Sequence, residues 1–471
     1  MARLSRFIFA FIIAESFAFA TQSKVPKVSP AYKSLSFLPQ QASTRAQEMS
    51  GVLRIRGGGP VAAEVSPAAP AKKIRITAFD SMRFFLIAVI VLGHFIKFAN
   101  PSDFVFKFVS QHNIAVGAFF ALSGYVTAYT STELGKREPS PKLLETPKQK
   151  WVLSRIFGYY PLHLVTLLLF SPVFLYADVT YNGWMTTAIN GLMSVTMTQA
   201  WFPMHAEVWN APTWYLSALS FITALMPFGL PSIAKMNKAQ LRKTAGWLFA
   251  TLMLPKLGYL HDFNCWSVVE GVINPKAHPN LALFNLLRFS PLYNAAEVFL
   301  GIVACRLVML DSDPDEKEKK VKTNALSTLF PIVSLVGFSA LRGLDVIQCS
   351  EFVARHLFFV PMFLRLLMAC HRNTVNNVSD LTCTILSNPL LVWLGNLAFP
   401  IFIVHGPIGQ IFFKKLIATK LFGGVLMGPT NFAAYLAATV GTAYILQKTV
   451  LQNKAVSDWS NKAVNKLSTW M

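Results

Sequence analysis

Long apolar runs recur along most of this chain and restrict its fold more than any other feature. The 471 residues are 53% hydrophobic and only 14% charged, and they include 39 phenylalanines. A helix needs about 20 predominantly apolar residues to cross the hydrocarbon core of a bilayer. Inside lipid every backbone polar group must be satisfied within the structure, and apolar runs of this length achieve that as helices. We therefore predict an all-α fold, a polytopic integral membrane helical bundle.

The apolar runs correspond to about ten transmembrane helices. Their approximate limits are 79–98, 114–130, 157–176, 214–230, 245–260, 295–310, 325–341, 356–370, 390–412 and 432–450. The segment from Gly183 to Gln199 is also apolar, but threonine, serine and asparagine interrupt it. We place this segment as an interfacial or re-entrant piece, and an eleventh span is the alternative.

The formal net charge of +21, from 43 Lys and Arg against 22 Asp and Glu, would suit a nucleic-acid-binding protein. Here the basic residues fall between the apolar runs, which is typical of membrane topology. Basic loops precede the first span and follow the second and fourth spans. These three loops lie on one side of the membrane if the segment from Gly183 to Gln199 does not cross it. Lys414 and Lys420 fall on the opposite side. On balance both ends of the mature chain face the cytosol, or the stroma if the protein enters a plastid. We predict membrane lipids as partners and no nucleic acid.

The ends of the chain differ in composition from its apolar centre. Residues 1–20 combine two arginines, an apolar core and small residues, a pattern typical of a signal peptide. Residues 21–73 look like a transit peptide, because the part from Thr21 to Ala63 is serine-rich and basic, and a disordered linker after a secretory signal is the alternative. We assign residues 74–452 to one membrane domain and 453–471 to a cytosolic tail. The expected location is a membrane of the secretory pathway or of a plastid.

The cysteines show no spacing typical of a metal site. They are scattered, and their positions are Cys265, Cys305, Cys349, Cys370 and Cys383. No arrangement of serine, histidine and aspartate, or of cysteine and histidine, indicates a covalent catalytic site. The sequence therefore predicts neither a metal ion nor a bound cofactor.

Two polar residues, Arg83 and His94, share one face of the first predicted span. Eleven steps of about 100° come to roughly three turns, which places the two side chains about 16 Å apart along the helix. Ionisable groups within a span are costly in lipid and usually line a polar cavity. We interpret the pair as a candidate functional site. The alternatives are an arginine that extends to lipid phosphates and a histidine that bonds to a neighbour within the helix.

The order of several motifs resembles that of the membrane-bound acyltransferase 3 family. These motifs are FDSMRFFLIAVIVLGHF, FFALSGY, SRIFGYYPLHL, NAPTWYLSALSF, AEVFLGIV and LGNLAFPIFIVHGPI, and they span roughly residues 75 to 450. Members of this family move acyl groups from acyl-CoA onto sugars, lipids and other hydroxylated acceptors. The resemblance implies that residues 74–452 form a membrane-bound acyltransferase domain, which transfers groups other than aminoacyl groups and uses acyl-CoA as co-substrate.

The resemblance also implies roles for the two polar residues of the first span. Acyl transfer from a thioester to a hydroxyl needs a base near the hydroxyl and a site that holds the donor. His94 is the expected general base, since a neutral imidazole accepts a proton near neutral pH. Arg83 is expected to hold the CoA phosphates, which suit a planar guanidinium. Direct attack assisted by His94 and a transient acyl-histidine both remain open.

Three further residues match family motifs and are expected to bind substrate. Arg155 enters the third span from the same side as Arg83, although basic residues also flank spans for topology alone. His405 reaches a depth comparable to that of His94, so the two histidines are candidates to meet in one cavity; packing against a backbone carbonyl is the alternative. Glu297 opens a span, where favourable charge at a helix N-terminus explains it without function.

The chain departs from the family pattern at three positions. Gly117 takes the place of an acidic residue, Gly158 that of an arginine and Leu219 that of a glutamate. These changes leave the acceptor class open, and a catalytically inactive relative is one alternative. A secondary transporter is the other, because many carriers also combine about ten spans with buried ionisable residues. The sequence identifies neither the acyl chain nor the acceptor.

Overall fold

The protein is all-α in the part of the chain that the computed structural model describes, which is residues 74–131, 134–136, 138–139, 144, 146–267, 278–311 and 326–469. The predicted class is confirmed, because these residues contain helices and no strand. The helices are α1 (Ala78–Phe95), α2 (Asp103–Val109), α3 (His112–Thr130), α4 (Lys148–Ile156), α5 (Tyr160–Thr196), α6 (Trp214–Ala234), α7 (Lys238–Asp262), α8 (Leu281–Phe289), α9 (Pro291–Leu310), α10 (Leu326–Gly343), α11 (Glu351–Val375), α12 (Leu381–Leu386), α13 (Pro389–Asn396), α14 (Ala398–Phe413), α15 (Lys415–Phe422), α16 (Pro429–Leu446) and α17 (Lys454–Ser468). The predicted segments 1–20 and 21–73 lie outside the described residues.

Seven helical segments of the described chain are long and apolar enough to cross a membrane. They are Ala78–Ala99, Asp103–Thr130, Lys148–Thr196, Ala211–Ala234, Leu281–Leu310, Leu326–Gly343 and Glu351–Val375. An eighth forms if α13 and α14, which are bent by 57° to each other, count as one span. The predicted number of about ten is not confirmed. Two of the predicted spans lie in α7 and α16, which are not apolar enough to count as membrane-spanning helices. Basic residues lower the mean hydropathy of α7, and threonine and asparagine lower that of α16.

Helices α3 and α9 lie in backbone contact, parallel to each other. A Cβ atom added to Gly301 would lie 2.0 Å from the carbonyl oxygen of Ala121, so only glycine permits this approach. One turn earlier in each helix, Glu297 lies against Gly117. Small residues at helix contacts are common in membrane bundles, where packing rather than the hydrophobic effect holds helices together.

Helix α1 packs antiparallel to α3. Near the start of α1 the ring of Phe79 lies 5.5 Å from that of Tyr125 in the second half of α3. At the other end the ring of His94 lies 4.4 Å from that of His112, the first residue of α3. The antiparallel arrangement therefore brings the end of the first span to the beginning of the second.

One end of the bundle collects the loops that are rich in basic residues, and we call it the basic end. Arg306, near the end of α9, donates hydrogen bonds to the backbone carbonyls of Lys136 and Ala234, which follow α3 and end α6. Arg372, near the end of α11, pairs with Asp311 at 2.6 Å. The loops after the second and fourth spans thus lie together, in agreement with the topology expected from charge. The opposite end, with His94 and His112, is the far end.

Helix α5 is broken at Gly183, whose φ of 73° and ψ of 167° are not helical. After this break the chain returns along its first arm. The hydroxyl of Tyr160 donates to the carbonyl of Val195 at 3.1 Å, and the His163 ring lies 2.9 Å from the carbonyl of Ser194. The returning arm is shorter than the about 20 residues that a span needs. This geometry agrees with a re-entrant segment rather than with an eleventh span.

The predicted cytosolic tail contains helix α17. Its Trp459 ring lies 5.9 Å from the ring of Phe157, the residue that follows α4. Next along the chain, the hydroxyl of Tyr159 lies 2.8 Å from that of Ser220 in α6. The C-terminal helix is therefore packed against the entry of the third span rather than separate from the bundle.

Candidate functional site

Three histidines from three helices meet at the far end. His94 lies in the last turn of α1, His112 begins α3, and His405 lies in the middle of α14. The ring centroid of His94 is 4.4 Å from that of His112 and 5.2 Å from that of His405. The Nδ1 atom of His94 is 3.2 Å from Nε2 of His405. His405 is fully buried and His94 is partly exposed, so His94 is the one of this pair that a substrate can reach.

A proline two residues after His405 shapes the helix around it. Pro407 has no amide hydrogen, so the carbonyl of Ile403, four residues earlier, receives no helical hydrogen bond. The side-chain amide of Asn210 donates to this carbonyl at 2.7 Å. One residue before it, the carbonyl of Phe402 lies 2.6 Å from Nδ1 of His405. The imidazole of His405 is therefore fixed on one side by the backbone of its own helix and faces His94 on the other.

Arg83 lies near the basic end of α1, on the same helix as His94. Its guanidinium donates to Asp80 at 2.7 Å, and both side chains are buried. Arg75 approaches the second oxygen of the same carboxylate at 3.1 Å, and its side chain is 43% exposed. Asp80 thus pairs with two arginines, the buried Arg83 on the interior side and the partly exposed Arg75 on the surface side. Arg83 is therefore part of a charged cluster and is not isolated in lipid.

Tyr215 of α6 lies in the interior of the bundle, within electrostatic reach of Arg83. Its hydroxyl is 2.8 Å from that of Ser123 in α3, and its ring lies 4.3 Å from that of Phe120 and 5.6 Å from that of Phe402 in α14. The side chain is buried and close enough to Arg83 for an electrostatic interaction. A polar hydroxyl pair therefore lies in the interior between α3, α6 and α14.

Glu297 belongs to a separate buried network. Arg355 approaches it with two guanidinium nitrogens, at 2.8 and 2.5 Å, and Nδ1 of His356 lies 3.1 Å from the carboxylate. Nε2 of His356 is in turn 2.7 Å from the amine of Lys256. A Cβ atom on Gly117 would lie 2.5 Å from the Glu297 carboxylate. The ion pair therefore fills the space beside Gly117, the position where the family resemblance leads us to expect an acidic residue.

The described structure does not bring Arg155 to the histidine cluster. Its guanidinium lies over the ring of Trp151, 4.6 Å from the centroid, within the short helix α4. Glu297 likewise contacts Arg355 and His356 rather than His94. Of the predicted site residues, His94 and His405 are in contact, Arg83 shares a helix with His94, and the other two lie elsewhere.

Sequence reasoning missed three residues that surround the predicted site. Asp80 precedes Arg83 by three positions, and that spacing is typical of ion pairs within a helix. His112 was not singled out because it lies in a polar segment between two apolar runs. Tyr215 follows a tryptophan within an apolar run, where an aromatic residue usually packs. Of the three, only Asp80 had a signal in the sequence.

The histidine cluster does not have the geometry of a metal site. Among the described residues, no group of three or more histidine, cysteine, aspartate or glutamate side chains is arranged to hold a metal ion. Nδ1 of His405 faces the carbonyl of Phe402, which leaves one nitrogen of this ring for contact with His94. The contact between the two rings is therefore made by one nitrogen of each, while the second nitrogen of His405 faces the backbone.

Comparison with known families gives one match that covers most of the chain. A family model described as an acyltransferase domain, Acyl_transf_3, matches residues 76–448. The matched range begins just before α1 and ends after α16, so it contains Arg83, the three clustered histidines and Glu297. Comparison with curated proteins and with solved structures gave no match.

Proposed function

The chain belongs to the acyltransferase family that this domain model defines, and from that premise we propose that it is an integral-membrane O-acyltransferase. It moves an acyl group from acyl-CoA to a hydroxyl of a sugar, a lipid or another small acceptor, and acetyl is the first acyl group to test. His94 acts as the general base and Arg83 holds the donor. One observation carries the proposal. The partly exposed His94 contacts His405, and His94 shares helix α1 with the buried Arg83.

The surroundings of His94 suit a general base. A base must lie within hydrogen-bond reach of the proton that it removes, and His94 is partly exposed at the end of α1. General base catalysis by a positioned side chain contributes typically about 10²-fold to 10⁴-fold in rate. Our preferred mechanism is direct attack of the acceptor hydroxyl on the thioester, and the covalent alternative is a transient acyl group on His94 itself.

The surroundings of Arg83 suit the donor. The cluster of Arg75, Asp80 and Arg83 carries a net positive charge at the basic end of the bundle. Guanidinium groups bind phosphate oxygens well, and the exposed Arg75 extends the site toward the surface. The rise from Arg83 to His94 is about 16 Å, a distance that the long linear arm of CoA can cross. We place the CoA phosphates at the basic end and the thioester at His94, with Arg155 as a further donor contact.

This placement puts the two substrates at opposite ends. Charge in the loops assigns the basic end to the cytosol or stroma. His94, partly exposed at the far end, meets an acceptor that arrives from the far side or through the membrane interior. We therefore propose that the acyl group passes from a donor on the basic side to an acceptor on the far side.

The test is release of free thiol from acetyl-CoA and longer acyl-CoAs by purified protein in nanodiscs, with a lipid and sugar extract as acceptor. We expect turnover in the wild type and a loss of at least about 10²-fold in His94→Ala. The matched control is His261→Ala, because the side chain of His261 is 83% exposed in α7 and pairs only with its neighbour Asp262 in the described structure. Turnover that survives in His94→Ala would remove His94 from the mechanism.

A secondary transporter is the second candidate. The break in α5 at Gly183 and the 57° bend between α13 and α14 are the kind of interruption that carriers place at their binding sites. Protein reconstituted in sealed proteoliposomes, assayed for both solute uptake and CoA release, distinguishes the two functions. Uptake of a solute without release of CoA from any donor would support a carrier and contradict the acyltransferase.

We place the protein in a membrane of the secretory pathway or of a plastid. The support is the signal-like and transit-like composition of residues 1–73. Fusion of these residues to a fluorescent protein tests the assignment. Diffuse fluorescence in the cytosol would contradict it.

A further inference from the structure

We propose that His405 is a positioning residue that fixes the tautomer of His94. It accepts a hydrogen bond from Nδ1 of His94 and so leaves Nε2 of His94 unprotonated toward the acceptor hydroxyl. The inference rests on the proposed function, since it gives the second histidine of the cluster a role in the same reaction. The resemblance implied a substrate-binding role for His405, and the geometry points to a different one.

His405 carries its proton on Nδ1. Its Nδ1 atom lies 2.6 Å from the backbone carbonyl of Phe402. A carbonyl oxygen only accepts hydrogen bonds, so Nδ1 of His405 must carry the proton that is donated. In a neutral imidazole the other nitrogen is then an acceptor. Nε2 of His405 therefore presents a lone pair to its neighbour.

The lone pair on Nε2 of His405 determines where His94 carries its proton. Its Nδ1 atom is 3.2 Å from Nε2 of His405, and two facing lone pairs would repel each other. The contact is a hydrogen bond only if Nδ1 of His94 carries a proton. The neutral His94 ring then has its lone pair on Nε2. The backbone of α14 thus determines, through His405, which nitrogen of His94 acts as the base.

A doubly protonated His405 would reverse this assignment, and the structure disfavours it. The side chain is fully buried, and the described residues give it no acidic partner. The nearby cation Arg288 acts electrostatically on both His94 and His112, which further disfavours added positive charge in the cluster. Burial of an uncompensated charge is strongly unfavourable. His405 is therefore neutral, with a single proton on Nδ1.

The reaction balances with these assignments. The acceptor hydroxyl gives its proton to Nε2 of His94 while its oxygen forms a bond to the thioester carbonyl carbon. The bond from that carbon to the CoA sulfur breaks, and the departing thiolate takes the proton from Nε2 of His94. Nδ1 of His94 keeps its proton and its hydrogen bond to His405 throughout, so the base returns to its starting tautomer after each turnover.

The geometry of α14 keeps His405 in this position. Pro407 leaves the carbonyl of Ile403 without a helical donor, and Asn210 from outside the helix supplies one at 2.7 Å. The hydroxyl of Tyr435 approaches the backbone carbonyl of His405 at 3.4 Å. The helix on both sides of the imidazole is thus held by side chains from other elements. An orienting group that is itself fixed is what a precise proton acceptor requires.

The first test reads the tautomer directly and does not depend on turnover. Protein with 15N-labelled histidine rings is studied by solid-state NMR in nanodiscs, and the His94 signals are assigned as those lost in His94→Gln. We expect a protonated Nδ1 and an unprotonated Nε2 in the wild type. A protonated Nε2 would overturn the proposal. Because the readout needs no substrate, it stands even if no acyl donor is found.

The second test compares two substitutions of His405, by glutamine and by asparagine, whose side chains differ in length by one methylene group. In His405→Gln the side-chain carbonyl lies near the former Nε2 and still accepts from His94, whereas in His405→Asn the shorter side chain does not reach it. We expect His405→Asn to lower kcat by about 10-fold to 100-fold with KM for both substrates little changed, and His405→Gln to restore most of this loss.

Two results would contradict the positioning role. A raised KM for the acceptor with an unchanged kcat in His405→Asn would show that His405 binds substrate instead. An unchanged His94 tautomer and an unchanged kcat in this variant would assign the proton to another acceptor, and the carbonyl of Ile90, near the His94 ring, is the candidate. Loss of activity in His94→Ala together with either result would leave the proposed function intact.

Discussion

At residue 407 a single proline explains a hydrogen bond from a distant part of the chain. Because Pro407 cannot donate to Ile403, the buried carbonyl of Ile403 depends on Asn210. An unsatisfied buried carbonyl costs about 1–3 kcal/mol. The histidine-glycine-proline sequence of α14 is therefore stable only together with the loop that carries Asn210.

We predict that Asn210→Ala lowers the free energy of unfolding by about 1–3 kcal/mol in the wild-type background. In a Pro407→Ala background an amide hydrogen returns to the helix and satisfies Ile403, so the same substitution costs less. Unfolding of the two single variants and the double variant in detergent gives the coupling energy, which we expect to be about 1 kcal/mol or more. Additive effects would show that the two residues act independently.

A second prediction concerns Gly117, beside the ion pair of Glu297 and Arg355. A Cβ atom there would lie 2.5 Å from the carboxylate and 2.6 Å from the guanidinium, so the pair must move. We expect Gly117→Ala to destabilise the protein by about 1–3 kcal/mol. The matched control is Gly246→Ala in α7, where an added Cβ meets nothing within 4 Å and helix propensity favours alanine. Equal unfolding temperatures for the two variants would contradict the packing role.

The sequence supports part of the site at this scale and not the rest. Helical spacing was enough to place Arg83 and His94 on one face, and similar depth in two spans made His405 a candidate neighbour. The sequence carried no signal for His112 or Tyr215, whose positions depend on how α3 and α6 pack against α1. It also could not show that Glu297 meets Arg355, because that contact joins two distant helices.

At the scale of elements, the apolar runs located the helices better than they located their irregularities. The predicted spans 79–98 and 114–130 match α1 and α3 because each is an apolar run with polar residues at its ends. The π-helical stretch Ala354–Phe359, which presents Arg355 and His356 to the same carboxylate, left no pattern in the sequence. Such irregular turns are set by tertiary contacts, and they often occur at functional sites.

The break in α5 yields a prediction at this scale. The backbone of Gly183, with φ of 73° and ψ of 167°, lies in a region that is essentially restricted to glycine. We expect Gly183→Ala to cost about 1–3 kcal/mol and to loosen the returning arm, which limited proteolysis near residue 183 would detect. Gly258→Ala in α7 is the control, since an added Cβ there meets nothing within 4 Å. Unchanged stability and proteolysis would contradict a required turn at Gly183.

For the molecule as a whole, ion pairs lie at both ends of the bundle. Lys238 and Arg372 meet Asp311 at the basic end, whereas Glu207 lies near Arg288 at the far end. The proposed direction of transfer depends on this polarity. If both ends faced one compartment, donor and acceptor would enter from the same side.

We predict that single cysteines at positions 238 and 207 are accessible from opposite sides of sealed vesicles. Lys238→Cys is expected to react with an impermeant maleimide from the side that corresponds to the cytosol, and Glu207→Cys only from the other side. Labelling of the unsubstituted protein measures the background of the five native cysteines. Reaction of both variants from one side would contradict the proposed topology.

Acyl transfer by this protein is measured by following an isotopically labelled acetyl group from acetyl-CoA into the extract of candidate acceptors by mass spectrometry. Wild-type protein in nanodiscs is compared with His94→Ala and His261→Ala. We expect a labelled ester product that is sensitive to mild alkali, present with the wild type and His261→Ala and absent with His94→Ala. A labelled product that persists in His94→Ala, or none with the wild type across the tested acyl-CoAs, would contradict it.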